Sequence, residues 1–291
     1  MTKNPSIRSV LKRCLSVNTV GFASSTLRER GYVLRSFIAH SLSTKKVRQA
    51  IPLDLISWIN SHKSWKSGWR RKGVAAMVKA ALSWGERVGL IPRGGNPYKA
   101  VSYRANTRRR PATDAEIQSA LRNSDPWFRR LVIFCAMTGA RPGEVYKAEW
   151  EHIDLERATI TLWEHKTASK TGEPRVIHLH PSLVRLLVWL ARHSPHPRWI
   201  LLNSKGGRWQ PTAIHYRIER LRQRHGLASD FTLGCMRHRF ATNAVLGRVD
   251  MLTLSKLLGH ARLQTTTHYC HAVCDTKMLQ DALGKIVAFR R

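Results

Sequence analysis

At 291 residues and 43% hydrophobic content the chain is long enough to bury one or two cores, yet 50 Lys and Arg against 18 Asp and Glu leave it at +32. A surface this cationic calls for a polyanion and predicts binding that weakens steeply with salt as counterions are released. The apolar stretch 131–137 is too short to cross a bilayer, the basic start MTKNPSIRSVLKRCLS lacks the apolar centre of a secretory signal, and five scattered cysteines (Cys14, Cys135, Cys235, Cys270, Cys274) make no disulfide scaffold. A cytoplasmic, nucleoid-associated protein is expected, with no membrane partner.

In the first third, Leu27, Val33, Leu34, Phe37 and Ile38 recur at helix spacing, followed by Val47, Ile51, Leu55 and Ile59, then by Trp69, Met77, Val78, Ala81 and Leu82. Gly89 and Pro92 end the third of these helices, and Gly94-Gly95-Asn96-Pro97 marks a turn. The pattern predicts an all-helical domain over residues 1–105. With so few residues ahead of Leu27, no further domain is expected there. Up to residue 110 the acids are only Glu29, Asp54 and Glu86, so this part carries the denser positive charge. Lys63, Lys66, Arg70, Arg71 and Lys72 surround Trp65 and Trp69; a solvated helix face would explain them, but in so basic a chain phosphate contacts are the favoured role.

Residues 106–111, with Arg108, Arg109 and Arg110, lack apolar periodicity and form a basic linker able to track a phosphate backbone. Thr113-Asp114-Ala115-Glu116 fits a capping box, so a second domain spans 112–291. A helix through 131–137, a turn at Thr138-Gly139 and a helix started by Pro142 come next. Residues 159–163 and 176–179 read as strands joined by a long loop rich in Lys, Thr and Gly. Helices follow at 181–192, 211–225, 236–246 and 251–258, with a last one within 278–289. The expected fold class is mainly α with a small β-sheet: a helical domain followed by an α+β domain.

The chemistry gathers at a few positions. Leu257-Leu258-Gly259-His260 is followed nine residues on by Tyr269, with Arg-centred clusters upstream at Arg141 and Arg237. A tyrosine near two guanidiniums and an imidazole is placed to attack a phosphodiester: the cations carry charge building on the non-bridging oxygens while the phenolate becomes the covalent link. Taken singly, the arginines read equally as surface salt-bridge partners and the histidine as structural. Glu144, one turn after Arg141, is suited to orienting an arginine or its helix rather than to proton transfer. With an ordinary pKa near 10, the tyrosine needs cations or a base to ionise. His268, Cys270, His271 and Cys274 crowd together, but no second Cys/His pair at finger spacing accompanies them, so no metal site is expected.

Thr138-Gly139-Ala140-Arg141-Pro142-Gly143-Glu144-Val145, the lysine-bearing hairpin, Met236-Arg237-His238-Arg239-Phe240-Ala241-Thr242 and Leu257-Leu258-Gly259-His260 through Tyr269 together resemble the tyrosine recombinases, the phage-integrase family. The resemblance extends over nearly the whole chain, since the helical first third ending in Asn96-Pro97 is similar to that family's core-binding domain. It implies that Arg141 and Arg237 hold the scissile phosphate, that His260 hydrogen-bonds it, that Tyr269 is the nucleophile, and that a hairpin lysine protonates the 5′-hydroxyl leaving group. Lys166 and Lys170 both match that lysine's box, with Lys170 favoured by its distance from Arg175. It further implies cutting and rejoining of double-stranded DNA through a 3′-phosphotyrosyl link, without nucleotide cofactor or metal, by four protomers on two paired sites. Residues 278–289 are then a candidate helix for docking onto a neighbour. One position departs from the pattern: three residues before the second arginine the family usually has His, where this chain has Gly234. That leaves His238 as a possible substitute, and a weakened or inactive DNA-binding relative or a type IB topoisomerase-like enzyme as alternatives.

Overall fold

The computed structural model describes residues 4–17, 24–104, 110–164, 172–193, 196–267 and 269. The chain divides into two compact units, Met1–Arg108 and Arg109–Arg291.

In the first unit, α1 (Ile7–Val17) buries Ile7, Val10, Leu11 and Cys14, the one-sided stripe of an amphipathic helix. This helix corrects the expectation that helical structure begins near Leu27; basic residues fill its outer face and mask the stripe. After α2 (Ser24–Ala39) comes a second correction. The spacing of Val47, Ile51, Leu55 and Ile59 predicts one helix, but Val47 lies in a short 3-10 turn, and α3 (Pro52–Ser61) begins only at Pro52. Proline lacks the N–H that would continue a helix through it, whereas in the first turn that N–H is not needed. Helix α4 (Gly68–Arg87) is capped by the Ser67 hydroxyl, which accepts from Arg70 N at 3.1 Å. Its inner face carries Val74, Val78, Ala81 and Leu82 against Phe37 and Trp58. Asn96 Nδ2 donates to Lys79 O and Ser83 Oγ, which ties the turn that follows back to α4.

The second unit opens with α5 (Asp114–Arg122), whose capping box is formed: Glu116 N donates to Thr113 Oγ1 and Thr113 N to Glu116 Oε2. Then come α6 (Pro126–Thr138), the single turn α7 (Pro142–Val145) and a three-stranded antiparallel sheet, β1 (Ile153–Asp154), β2 (Thr159–Leu162) and β3 (Arg175–His178), in the order β1-β2-β3. Ile160 pairs with Ile153 on one side and Ile177 on the other. Strand β1 is absent from the sequence expectation because two residues carry no periodicity. Helices α8 (Pro181–His193), α9 (Pro211–His225), α10 (Leu233–Leu246), α11 (Met251–Leu258) and α12 (Gln264–Thr267) complete the described part. Helix α10 starts three residues before the expected 236, which places Gly234 inside its first turn. The core joins Phe128, Leu131 and Phe134 of α6 to Ile160, Ile177, Leu187, Ile218 and Met236. The chain is thus mainly helical with a small sheet. No described helix is long and apolar enough to cross a membrane.

A separate apolar cluster of Ala241, Val245, Leu254, Leu258 and Tyr269 lies between α10 and α11. Burying Val or Leu contributes about 1.5–3 kcal/mol per side chain, so this cluster can anchor Tyr269 even though α12 before it makes a single turn.

Candidate active site

Two glycines set the frame. Gly139 ends α6 with φ +60°, and a Cβ there would lie 2.5 Å from the Phe240 ring of α10. Only glycine combines that left-handed backbone with so close a helix approach. Gly259 ends α11 with φ +62°, where a Cβ would lie 2.5 Å from Arg175 Cδ.

Those approaches allow two arginines to finish α11. A helix leaves its last carbonyls without partners. Arg237 donates through Nη2 to Leu258 O (2.7 Å) and through Nη1 to Gly139 O (2.8 Å). Arg175 donates to Leu257 O (2.6 Å), Lys256 O (3.2 Å) and Val176 O (2.6 Å). Both guanidiniums are buried. A third Arg237 donation, from Nη2 to His260 Nε2 at 2.8 Å, leaves two of its five N–H groups outside these bonds.

Arg141 stands at the entrance to α7, about a quarter exposed. Its backbone N donates to Glu144 Oε2 (3.0 Å) and its Nη1 to Glu144 Oε1 (2.7 Å). Glu144 is buried and also faces Arg175 Nε at 3.6 Å. Burial alone would raise its pKa, but the hydrogen bond and charge of Arg141, with the charge of Arg175, hold the carboxyl below the usual range. It is a fixed anion that orients two arginines.

His260 is half-buried, with Nδ1 2.7 Å from Thr266 Oγ1. The His238 and Tyr269 rings lie 5.5 Å apart at 45°. Arg237, Arg141, Arg175, His260, Glu144 and Tyr269 share one field. Burial first, then Arg141, lowers Arg237 to about 10, against upward pulls from Glu144 and Tyr269. Burial, then Arg237, Arg141 and Arg175, lowers His260 to about 4. Three guanidiniums meet one buried carboxylate, an excess of two positive charges that favours a further anion. Such a charge excess in a partly dry setting is suited to a phosphate.

The His260 shift has a measurable sign. The native ring is neutral down to about pH 4, whereas an unfolded histidine gains its proton near 6.5. Between those values the unfolded chain binds more protons, so stability falls on acidification from pH 6.5 to 4. Thermal melting across that window is expected to show a smaller fall in His260→Gln than in wild type; parallel curves would remove His260 as the cause.

The other expected contacts are placed as follows. Lys63, Lys66 and Lys72 are exposed beside exposed Trp69, whereas Trp65 is buried. Arg70 pairs with Glu29 and lies over the Trp65 ring, and Arg71 Nε donates to Trp65 O at 2.8 Å. Arg110 is held by Glu116 and Asp230, a network within the second unit. Arg108, Arg109, Lys166, Lys170, His268, Cys270, His271, Cys274 and residues 278–289 lie outside the described residues. Among the described residues no group of three or more His, Cys, Asp or Glu is arranged to hold a metal ion. Two site residues escape sequence reasoning. Arg175 is seen there only as a spacing mark, and Thr266 is one of three consecutive threonines.

The family model of the phage integrase family matches residues 112–274. Tyrosine recombinase XerC of Agrobacterium fabrum is 23% identical over 270 residues, covering 89% of this chain and 85% of that protein. Among solved structures, the Tn1549 transposon integrase in complex with transposon right end DNA superposes with a TM-score of 0.78 at 16% identity, covering 97% of this chain and 100% of that one. A lambda integrase tetramer bound to a Holliday junction gives 0.69 at 19% identity, covering 88% and 78%.

Proposed function

Because the chain belongs to the phage integrase family, we propose that Arg141, Arg237, His260 and Tyr269 form one site at which a DNA phosphodiester is broken and remade. The protein is a site-specific tyrosine recombinase. The observation that carries the site assignment is the excess of cations over the buried carboxylate of Glu144, with the Tyr269 ring in the same field. A phosphodiester supplies one negative charge against that excess, and the attacking phenolate brings the second. Arg141 and the free N–H groups of Arg237 hold its non-bridging oxygens. Tyr269 passes its phenol proton to His238 or solvent and its Oη attacks phosphorus, the P–O5′ bond breaks, and a 3′-phosphotyrosyl link forms while the 5′-oxygen takes a proton. Attack by a 5′-hydroxyl of a partner strand reverses the step, and no nucleotide is consumed.

The partner is double-stranded DNA. Lys63, Lys66 and Lys72 of the first unit contact its backbone, as do Arg108 and Arg109 of the basic linker. Four protomers act on two paired sites, a reading supported by the lambda integrase tetramer bound to a Holliday junction. The positive charge favours a nucleoid-associated life in the cytoplasm. A pool of nicked duplexes of random sequence, incubated with the protein in EDTA, tests the reaction. A covalent adduct with a freed 5′-hydroxyl strand is expected; a 5′-linked adduct or a requirement for divalent metal would contradict it.

Lys170 is the favoured leaving-group acid. Lys170→Ala then cleaves the selected duplex slowly but recovers when the leaving oxygen is replaced by sulfur, which departs without a proton. Recovery of Lys166→Ala instead transfers the role.

At Gly234 the backbone is not left-handed, and a Cβ would meet only Thr232 Oγ1 at 3.2 Å. A Cβ there asks the Thr232 hydroxyl to give by only a few tenths of an ångström, so backbone strain does not require the glycine. His238, beside Tyr269, takes the place of the missing side chain. Its removal in His238→Ala is expected to slow single-turnover adduct formation on the order of a hundredfold, the scale of a lost acid-base group, with little change in melting, while Gly234→His adds little. Wild-type rates in His238→Ala end the substitution idea.

A further inference from the structure

The two ring nitrogens of His260 face partners of different kinds. Arginine has no acceptor atom, so the 2.8 Å contact with Arg237 Nη2 requires a lone pair on Nε2. The ring proton therefore sits on Nδ1, and the 2.7 Å contact with Thr266 is a donation from Nδ1–H to Oγ1. Thr266 is completely buried, with its backbone N bound to Leu263 O at 2.7 Å. With Nδ1 turned to that closed wall, Nε2 is the nitrogen presented to the cationic cluster. In this state Nε2 cannot serve a phosphate oxygen, because both atoms are acceptors. The phosphate role proposed for His260, on which this inference rests, needs the proton on the other nitrogen.

We propose that Thr266 is a positioning residue that makes His260 a two-tautomer switch. Without DNA, Nδ1–H donates to Thr266 while Nε2 accepts from Arg237. When the phosphodiester enters, Nε2–H donates to a non-bridging oxygen, and the Thr266 hydroxyl turns round to donate to Nδ1. The half-buried ring takes a proton at Nε2 from solvent and, on a transient opening away from Thr266, gives up the one at Nδ1, so its charge is unchanged. The Arg237 Nη2–H released from the ring is then available to the phosphate. A hydroxyl is suited to this place because it can both accept and donate; a carboxylate would only accept, and a methyl group would do neither. The resting tautomer also keeps His260 satisfied while the site is empty, which removes the cost of an unpaired buried nitrogen.

Thr266→Val and Thr266→Ser test this on a duplex selected by its adduct with the wild type. Valine keeps the buried shape, so thermal melting and DNA affinity serve as controls. Thr266→Val is expected to slow single-turnover adduct formation on the order of ten- to a hundredfold, as loss of a hydrogen bond that supports a charged contact does, and Thr266→Ser to restore most of the rate. Nitrogen NMR of histidine-labelled protein, with His260→Gln for assignment, reads the tautomer directly. Nδ1–H is expected in the DNA-free protein and Nε2–H in Tyr269→Phe protein on the duplex. Nε2–H without DNA, an imidazolium on DNA, or wild-type rates in Thr266→Val would each overturn the switch. Failure of the wild type to form any adduct would instead remove the phosphate role of His260 and the switch with it, a result distinguishable from failure of the switch alone.

Discussion

Tyr269→Phe is expected to lose covalent adduct formation completely while keeping its affinity for the same DNA. The substitution removes one oxygen and leaves the ring that packs with Ala241, Val245, Leu254 and Leu258. The phosphate contacts assigned to Arg141 and Arg237 do not involve that oxygen, so binding measured by titration at fixed salt should be nearly unchanged. Because affinity for a polyanion depends steeply on ionic strength, wild type and variant must be compared at one salt concentration. An adduct persisting in Tyr269→Phe would move the nucleophile elsewhere, with exposed Tyr216 the first candidate.

Arg175→Ala should be the most destabilising single change at the site. This buried guanidinium satisfies three backbone carbonyls, two of them in the last turn of α11, and pairs with buried Glu144. Removing one member of a buried ion pair costs about 3–5 kcal/mol, because its partner stays behind with its charge less compensated. Arg141 still holds Glu144 and limits that part of the loss, while the orphaned carbonyls add to it. Arg175→Lys should recover only part, since a single ammonium cannot reach the same carbonyls as a planar fork. Chemical denaturation checks this, and adduct formation should fall in parallel because Gly259 and His260 follow those carbonyls. Stability equal to wild type in Arg175→Ala would show that α11 ends without help from β3.

What was legible in the sequence was local. The turn at Gly139, Pro142 at a helix start and the nine-residue step from His260 to Tyr269 each announce themselves within a few residues. Arg175 and Thr266 do not. Arg175 acquires its role from carbonyls 81 and 82 residues away. Thr266 becomes distinct from Thr265 and Thr267 only through burial and through His260. Helix α1 is hidden for a different reason: its apolar stripe is thin and set among basic residues, so the segment reads as charge rather than as a core face. The departure at Gly234 is visible in sequence, but whether it reflects backbone strain is decided only by its place in the first turn of α10, where φ lies outside the left-handed region.

One phenol, packed between α10 and α11 and in the field of Arg237, is proposed to take the phosphate. Peptide mapping of the adduct trapped on a nicked duplex in EDTA tests this most directly. A 3′-phosphate ester on the peptide containing Tyr269 is the predicted product, and a phosphorylated Tyr216, or any linkage through serine or a 5′-phosphate, would contradict it.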